Sequence, residues 1–152
     1  MLGIAELTDT HLELMLGFQW EESLEWRAQL GRRHTGWHEL TSVSQLVGLV
    51  QMIGGEGDWF TAQTRGEAPR RYAQAMNTGS GYLVEVAQVD GGITRNWRIG
   101  LGVAADNAGN LPFSAPTQAQ NLIFAAVVEV LISWFRGSGL PLGYGAALRI
   151  YG

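Results

Sequence analysis

The run YLVEVAQVDGGITRNWRI, residues 82–99, decides how this chain folds. Tyr82 to Val89 is dense in β-formers, Asp90-Gly91-Gly92 supplies residues that accept positive φ, and Ile93 to Ile99 returns in the same style. That pattern predicts a β-hairpin with a tight turn. Working back from it, Thr78-Gly79-Ser80-Gly81 reads as a turn and Arg71 to Asn77 as a strand. Arg65 to Arg70 reads as a polar connection, whose Pro69 cannot sit in a central strand, and Trp59 to Thr64 as one more strand. Four consecutive strands with short connections predict one antiparallel sheet. Glu85 interrupts its strand on the face shared by Leu83 and Ala87, where an unpaired carboxylate is costly. It either pairs with Arg95 or Arg98 across the hairpin or serves as a general acid or base.

Two helices flank this meander. Thr41 or Ser42 can cap a helix whose Val43, Leu46, Val47 and Val50 follow the i, i+3, i+4, i+7 stripe, with Gly54-Gly55 as a stop. Thr117-Gln118-Ala119-Gln120 has the form of a capping box before an apolar helix from Leu122 to Arg136, predicted as the central helix of the core. Gly137-Ser138-Gly139 ends it, and Ala147 to Tyr151 reads as a closing strand. Residues 105–116 form a loop rich in Gly, Asn and Pro, of a length more often functional than a hairpin turn. The expected fold is α+β in one domain: an acidic, Trp-rich segment over residues 1–39, then helix, antiparallel meander, core helix and closing strand over 40–152. The sheet should have about five to seven strands against two main helices. Within the first segment, apolar positions alternate from His11 to Trp20 and again from Leu24 to Leu30. Period two suggests a hairpin, although Leu16, Trp20, Leu24 and Ala28 also fit a helical stripe.

Composition excludes more than it names. The 152 residues are 46% hydrophobic and 16% charged, too apolar for a disordered chain and too interrupted for a membrane protein. Ten basic residues, all arginine, stand against 14 acids, which argues against a general nucleic-acid binder. The absence of cysteine removes thiol nucleophiles, thiolate metal sites and disulfides. The opening Met1 to Glu6 lacks the pattern of a signal peptide, so a cytoplasmic protein is expected. Charge is unevenly spread: Glu6, Asp9, Glu13, Glu21, Glu22 and Glu25 give −6 over the first 25 residues, against +2 for the rest. Those acids either keep one edge solvated or form a docking patch for a basic partner.

Other candidates are weaker chemically. His34 and His38 have i, i+4 spacing, but Gly31 and Gly36 oppose the helix a metal pair needs, so no metal or cofactor is expected. Gly100-Leu101-Gly102-Val103-Ala104-Ala105 has a nucleotide-loop shape, yet it follows an antiparallel meander, where glycine at a strand end suits a bulge or a close neighbour. The carboxylate pairs Glu21-Glu22 and Glu56/Asp58 fall on segments where acids remain solvated. No nucleophile, base and orienting group can be assembled, so the chain reads as a non-enzyme. Six tryptophans exceed the needs of a small core, and Trp37 and Trp59 are placed to be exposed anchors for a partner.

The order of pieces carries a resemblance: the helix Leu40 to Leu46, the strand Gly81 to Val86, the late helix Ala125 to Leu131, and Gly139-Leu140-Pro141 before a last strand. Over about residues 40–151 the chain resembles the small immunity proteins of bacterial polymorphic-toxin systems, in particular the Imm1-like group of actinobacteria. The resemblance implies a non-enzymatic inhibitor that binds a cognate toxin domain and occludes its active site; from composition, neither nucleic acid nor membrane is expected as a partner. A toxin with a basic cleft would make Glu13, Glu21, Glu22 and Glu25, with Trp37, Asp58 and Trp59, the docking residues. A second expectation is a small-ligand module with a cavity between sheet and C-terminal helix, into which Glu85 or Tyr82 would point.

Overall fold

The computed structural model describes residues 23–66, 68–102 and 116–152. Their strands are β1 (Leu24–Leu30), β2 (Arg33–His34), β3 (His38–Leu40), β4 (Trp59–Thr64), β5 (Arg71–Asn77), β6 (Tyr82–Asp90), β7 (Ile93–Leu101) and β8 (Tyr144–Tyr151). Two α-helices accompany them, α1 (Val43–Met52) and α2 (Phe124–Arg136), with a short 3-10 turn at Gln118–Gln120. The strands make one antiparallel sheet in the order β2-β1-β4-β5-β6-β7-β8, with β3 also paired to β1. This is the α+β arrangement the sequence predicts, and the 82–99 hairpin forms as expected, with Asp90 opposite Ile93.

Alternation sorts each strand into two faces. Phe60, Ala62, Ala73, Ala75, Val84, Val86, Trp97, Ile99 and Ala146 share one face and are almost fully buried. Leu46, Leu49 and Val50 of α1 and Val127, Val130, Leu131 and Trp134 of α2 complete the same core. Both helices therefore cover a single face of the sheet. Each is held by local chemistry: Ser42 caps α1 by accepting from the Gln45 N–H at 3.1 Å, and Gln45 Oε1 accepts from the Thr41 N–H at 2.8 Å. At the far end of α2, the Arg71 guanidinium lies 4.3 Å from the Trp134 ring centre and donates to the Trp134 carbonyl at 2.7 Å. A cation there also suits the negative end of the helix dipole.

Several expectations need correction. The segment Leu24–Leu30 is a strand, not part of a helical stripe, and its hairpin partner is the segment C-terminal to it: β2 and β3 take one edge of β1 while β4 takes the other. The predicted strand His11 to Trp20 lies outside the described residues, as does the 105–116 loop except Pro116. The Thr117 box ends in a 3-10 turn instead of opening the long helix. Gln120 Oε1 accepts from the Thr117 N–H at 3.0 Å, but Leu122 is then drawn into two 2.8 Å backbone hydrogen bonds with Tyr82. That bridge holds Leu122 extended and delays α2 to Phe124. The helix is also less enclosed than expected: Ile123 at its N-cap, and Phe124 and Ala125 in its first turn, are exposed, so it lies on the sheet with one buried stripe. β8 begins three residues earlier than predicted, at Tyr144.

Candidate functional site

The face of the sheet opposite α1 and α2 carries a different chemistry. Residues paired across adjacent antiparallel strands share a face, so the register places Arg27, Thr61, Gln74, Glu85, Arg98 and Ala147 in one transverse row. On one side of it run Gln29, Trp59, Met76 and Leu83, and on the other Glu25, Gln63, Tyr72, Ala87, Asn96 and Arg149. A polar row is thus flanked by a more apolar one. Between them lies a groove of about 450 Å³, bounded by Arg27 and Trp59 at one end and by Glu85 and Arg98 at the other.

Glu85 sits in the floor of this groove. Its Oε1 accepts from Gln74 Nε2 at 2.9 Å and its Oε2 from Arg98 Nε at 3.2 Å. Of the two predicted partners the register selects Arg98, because Arg95 falls opposite Gln88. Donors on both oxygens make Glu85 a positioned ion-pair member, not a free base. Beside it, the Tyr72 hydroxyl donates to Asn96 Oδ1 at 3.2 Å, and burial first, then the nearby Glu85 charge, raises the Tyr72 pKa above its ordinary value.

At the β1 end the groove opens onto an aromatic cluster. The Arg27 guanidinium is 4.9 Å from the Trp37 ring centre and 6.0 Å from that of Trp59. Trp59 donates through Nε1 to Gln29 Oε1 at 3.1 Å, and the His34 ring meets its edge. Trp37 is 41% exposed. Glu25 faces Glu39 directly across β1 and β3, two like charges in a register that favours neither without a cation nearby.

The structure divides the predicted docking residues. Trp37, Trp59 and Glu25 come together on the face opposite the two helices. Asp58 is withdrawn from it: the residue is buried, and its carboxylate accepts from the Gly31 N–H at 2.8 Å and the Gly55 N–H at 3.0 Å. Glu13, Glu21 and Glu22 lie outside the described residues. His34 and His38 fall on separate strands, His38 stacking on Trp26 at 4.7 Å, so their spacing does not make a helical pair. Gly100 pairs with Gly145 inside the antiparallel sheet, which is the close strand neighbour expected of it and not the strand-to-helix turn of a nucleotide loop. Arg27, Thr61, Gln74 and Met76 escape sequence reading, as does the pairing of Glu39 with Glu25. The usable signal is alternation within β1, which puts Glu25, Arg27 and Gln29 on one face, but nothing local says that Trp37 and Trp59 flank that face.

The interface between sheet and helices, where a ligand cavity was expected, is filled by Trp97, Trp134, Phe60, Ile99 and Leu131 at 0–1% exposure. Glu85 points to the opposite face, and half-buried Tyr82 packs edge-on against Phe124. No described helix is long and apolar enough to cross a membrane. No family model, curated protein or solved structure matches this chain.

Proposed function

We propose that the chain is a cytoplasmic immunity protein that neutralises a cognate toxin domain by docking the sheet face opposite α1 and α2 over the toxin's active site. One observation carries the reading: exposed Trp37 and Arg27, with half-buried Trp59, form a cation–π cluster on that face beside a shallow groove. Trp and Arg are the residues that most often dominate binding energy at protein interfaces. The facing pair Glu25 and Glu39 adds a place for a cation from a basic cleft, and both acids share the face with the aromatic cluster. Glu85, with both oxygens engaged, supports a binding role for the groove over acid–base catalysis.

The test is co-expression with a toxin domain encoded beside this chain's gene. Wild-type protein should restore growth and co-purify with the toxin, and Trp37→Ala combined with Trp59→Ala should weaken the complex by roughly a hundredfold or more. A toxin that kills equally with the wild-type chain present, or a double variant that still folds and binds normally, overturns the reading.

A further inference from the structure

We infer that Arg27 is a carboxylate-recognition site, and that the partner docked on this face presents an Asp or Glu side chain to it, followed by an apolar side chain that lies in the groove. This rests on the protein-binding reading proposed for the same face. Among the described residues no carboxylate makes an ion pair with Arg27, and its guanidinium lies against the rings of Trp37 and Trp59. Cation–π attraction to the rings uses none of the guanidinium N–H donors, so the fork remains available for two parallel hydrogen bonds. Arg27 is exposed, so a partner can reach it.

The surroundings define what accompanies the carboxylate. Beyond Arg27 the groove continues along Trp59, Met76 and Leu83, a strip suited to an aliphatic or aromatic side chain, with Thr61 and Gln74 at its floor. They also restrict the anion to a single charge. Two positions along the same face of β1 stands Glu25, opposite Glu39. A nucleic-acid backbone would carry its next phosphates toward these acids, whereas an isolated carboxylate meets only Arg27. The alternation of acid and arginine along β1 also sets the orientation of the partner, since reversal would bring like charges together.

The test uses full-length protein labelled with ¹⁵N and three probes: the capped peptide acetyl-Gly-Glu-Leu-Gly-amide, its Gln counterpart, and an oligothymidylate. The Glu peptide should shift the indole N–H signals of Trp37 and Trp59 and the Nε–H signal of Arg27, and should bind about tenfold more tightly than the Gln peptide. Arg27→Gln, on an exposed position, should abolish that preference. Arg27→Lys should keep part of it, because a point charge replaces a planar fork. Equal titration by the Glu and Gln peptides overturns the inference, as does stronger binding of the oligothymidylate. The wild-type contrast between the two peptides needs no variant to be folded. Failure of the chain to protect against a toxin would remove the immunity reading and leave this preference measurable. Loss of the preference would leave the immunity reading intact.

Discussion

The carboxylate of Asp58 accepts a hydrogen bond from the backbone N–H of Gly31, 27 residues away in sequence, at 2.8 Å. Its second oxygen takes the Gly55 N–H at 3.0 Å, so one side chain ties the β1–β2 turn to the connection between α1 and β4. The aromatic cluster beside the groove depends on both of those segments. Trp37 follows that turn, between β2 and β3, and Trp59 opens β4 directly after the connection.

Asp58→Ala is therefore expected to lower stability by about 1–3 kcal/mol, through two backbone donors left without an acceptor. Urea unfolding measures the loss, and hydrogen exchange at Gly31 should accelerate with it. Unchanged exchange at Gly31 would mean that the turn is held by other contacts.

Glu85→Ala should cost about 2–4 kcal/mol, since it takes a carboxylate from the nearly buried Arg98. Glu85→Gln, which keeps an acceptor for one of the two donors, should cost less. Thermal melts of the two variants separate these effects. A Glu85→Ala variant as stable as wild type would mean that the pair contributes no more than an exposed one.

Burial and the Glu85 charge raise the Tyr72 pKa above the unfolded value of 10.0, and burial with Glu129 does the same for Tyr144. The folded state then holds these protons more tightly than the unfolded chain. Their contribution is complete below pH 10.0 and declines as pH rises through the folded values. Tyr72→Phe and Tyr144→Phe together should flatten the loss of stability in that alkaline range, measured by urea unfolding as a function of pH. An unchanged slope would assign the alkaline loss elsewhere.

Gly81 admits no side chain. A Cβ there would lie 2.7 Å from Asn121 Oδ1 and 2.8 Å from the Leu122 carbonyl oxygen, which itself accepts from Tyr82. Gly81→Ala should cost about 1–3 kcal/mol by forcing the strand and the segment before α2 apart. Gly91→Asn serves as the contrast, because Gly91 has open space around it and Asn tolerates its φ of +57°. Equal melting temperatures for the two variants would mean that the close approach at Gly81 contributes nothing.

Where the determining chemistry lies within a few residues, it is legible in the sequence. The Asp90-Gly91-Gly92 turn, the period-two strands from Trp59 to Ile99, a cap at Thr41 or Ser42 and the pairing of Glu85 with an arginine across the hairpin all come from short-range spacing; the structure selects Ser42 and Arg98. The Thr117 box is legible too, as a contact between Gln120 and the Thr117 backbone. The extended conformation of Leu122 is not, because Leu122 answers to Tyr82 and not to its own neighbours. The candidate site is legible only in fragments. Trp37 and Trp59 stand out as surplus aromatics, while Arg27 looks ordinary and Asp58 looks exposed.

For the meander from Trp59 to Ile99 and the helix opening at Val43, the sequence by itself determined which segments are extended or helical and which residues of each strand share a face, since backbone preference and side-chain period act locally. Only the tertiary structure decided that β1 folds back on Arg33–Leu40, that Asp58 reaches Gly31, and that Arg27 stands between two tryptophans from different segments. Those relations depend on strand order and register across the sheet, which are set by packing between segments distant in the chain and leave no periodic trace in either of them.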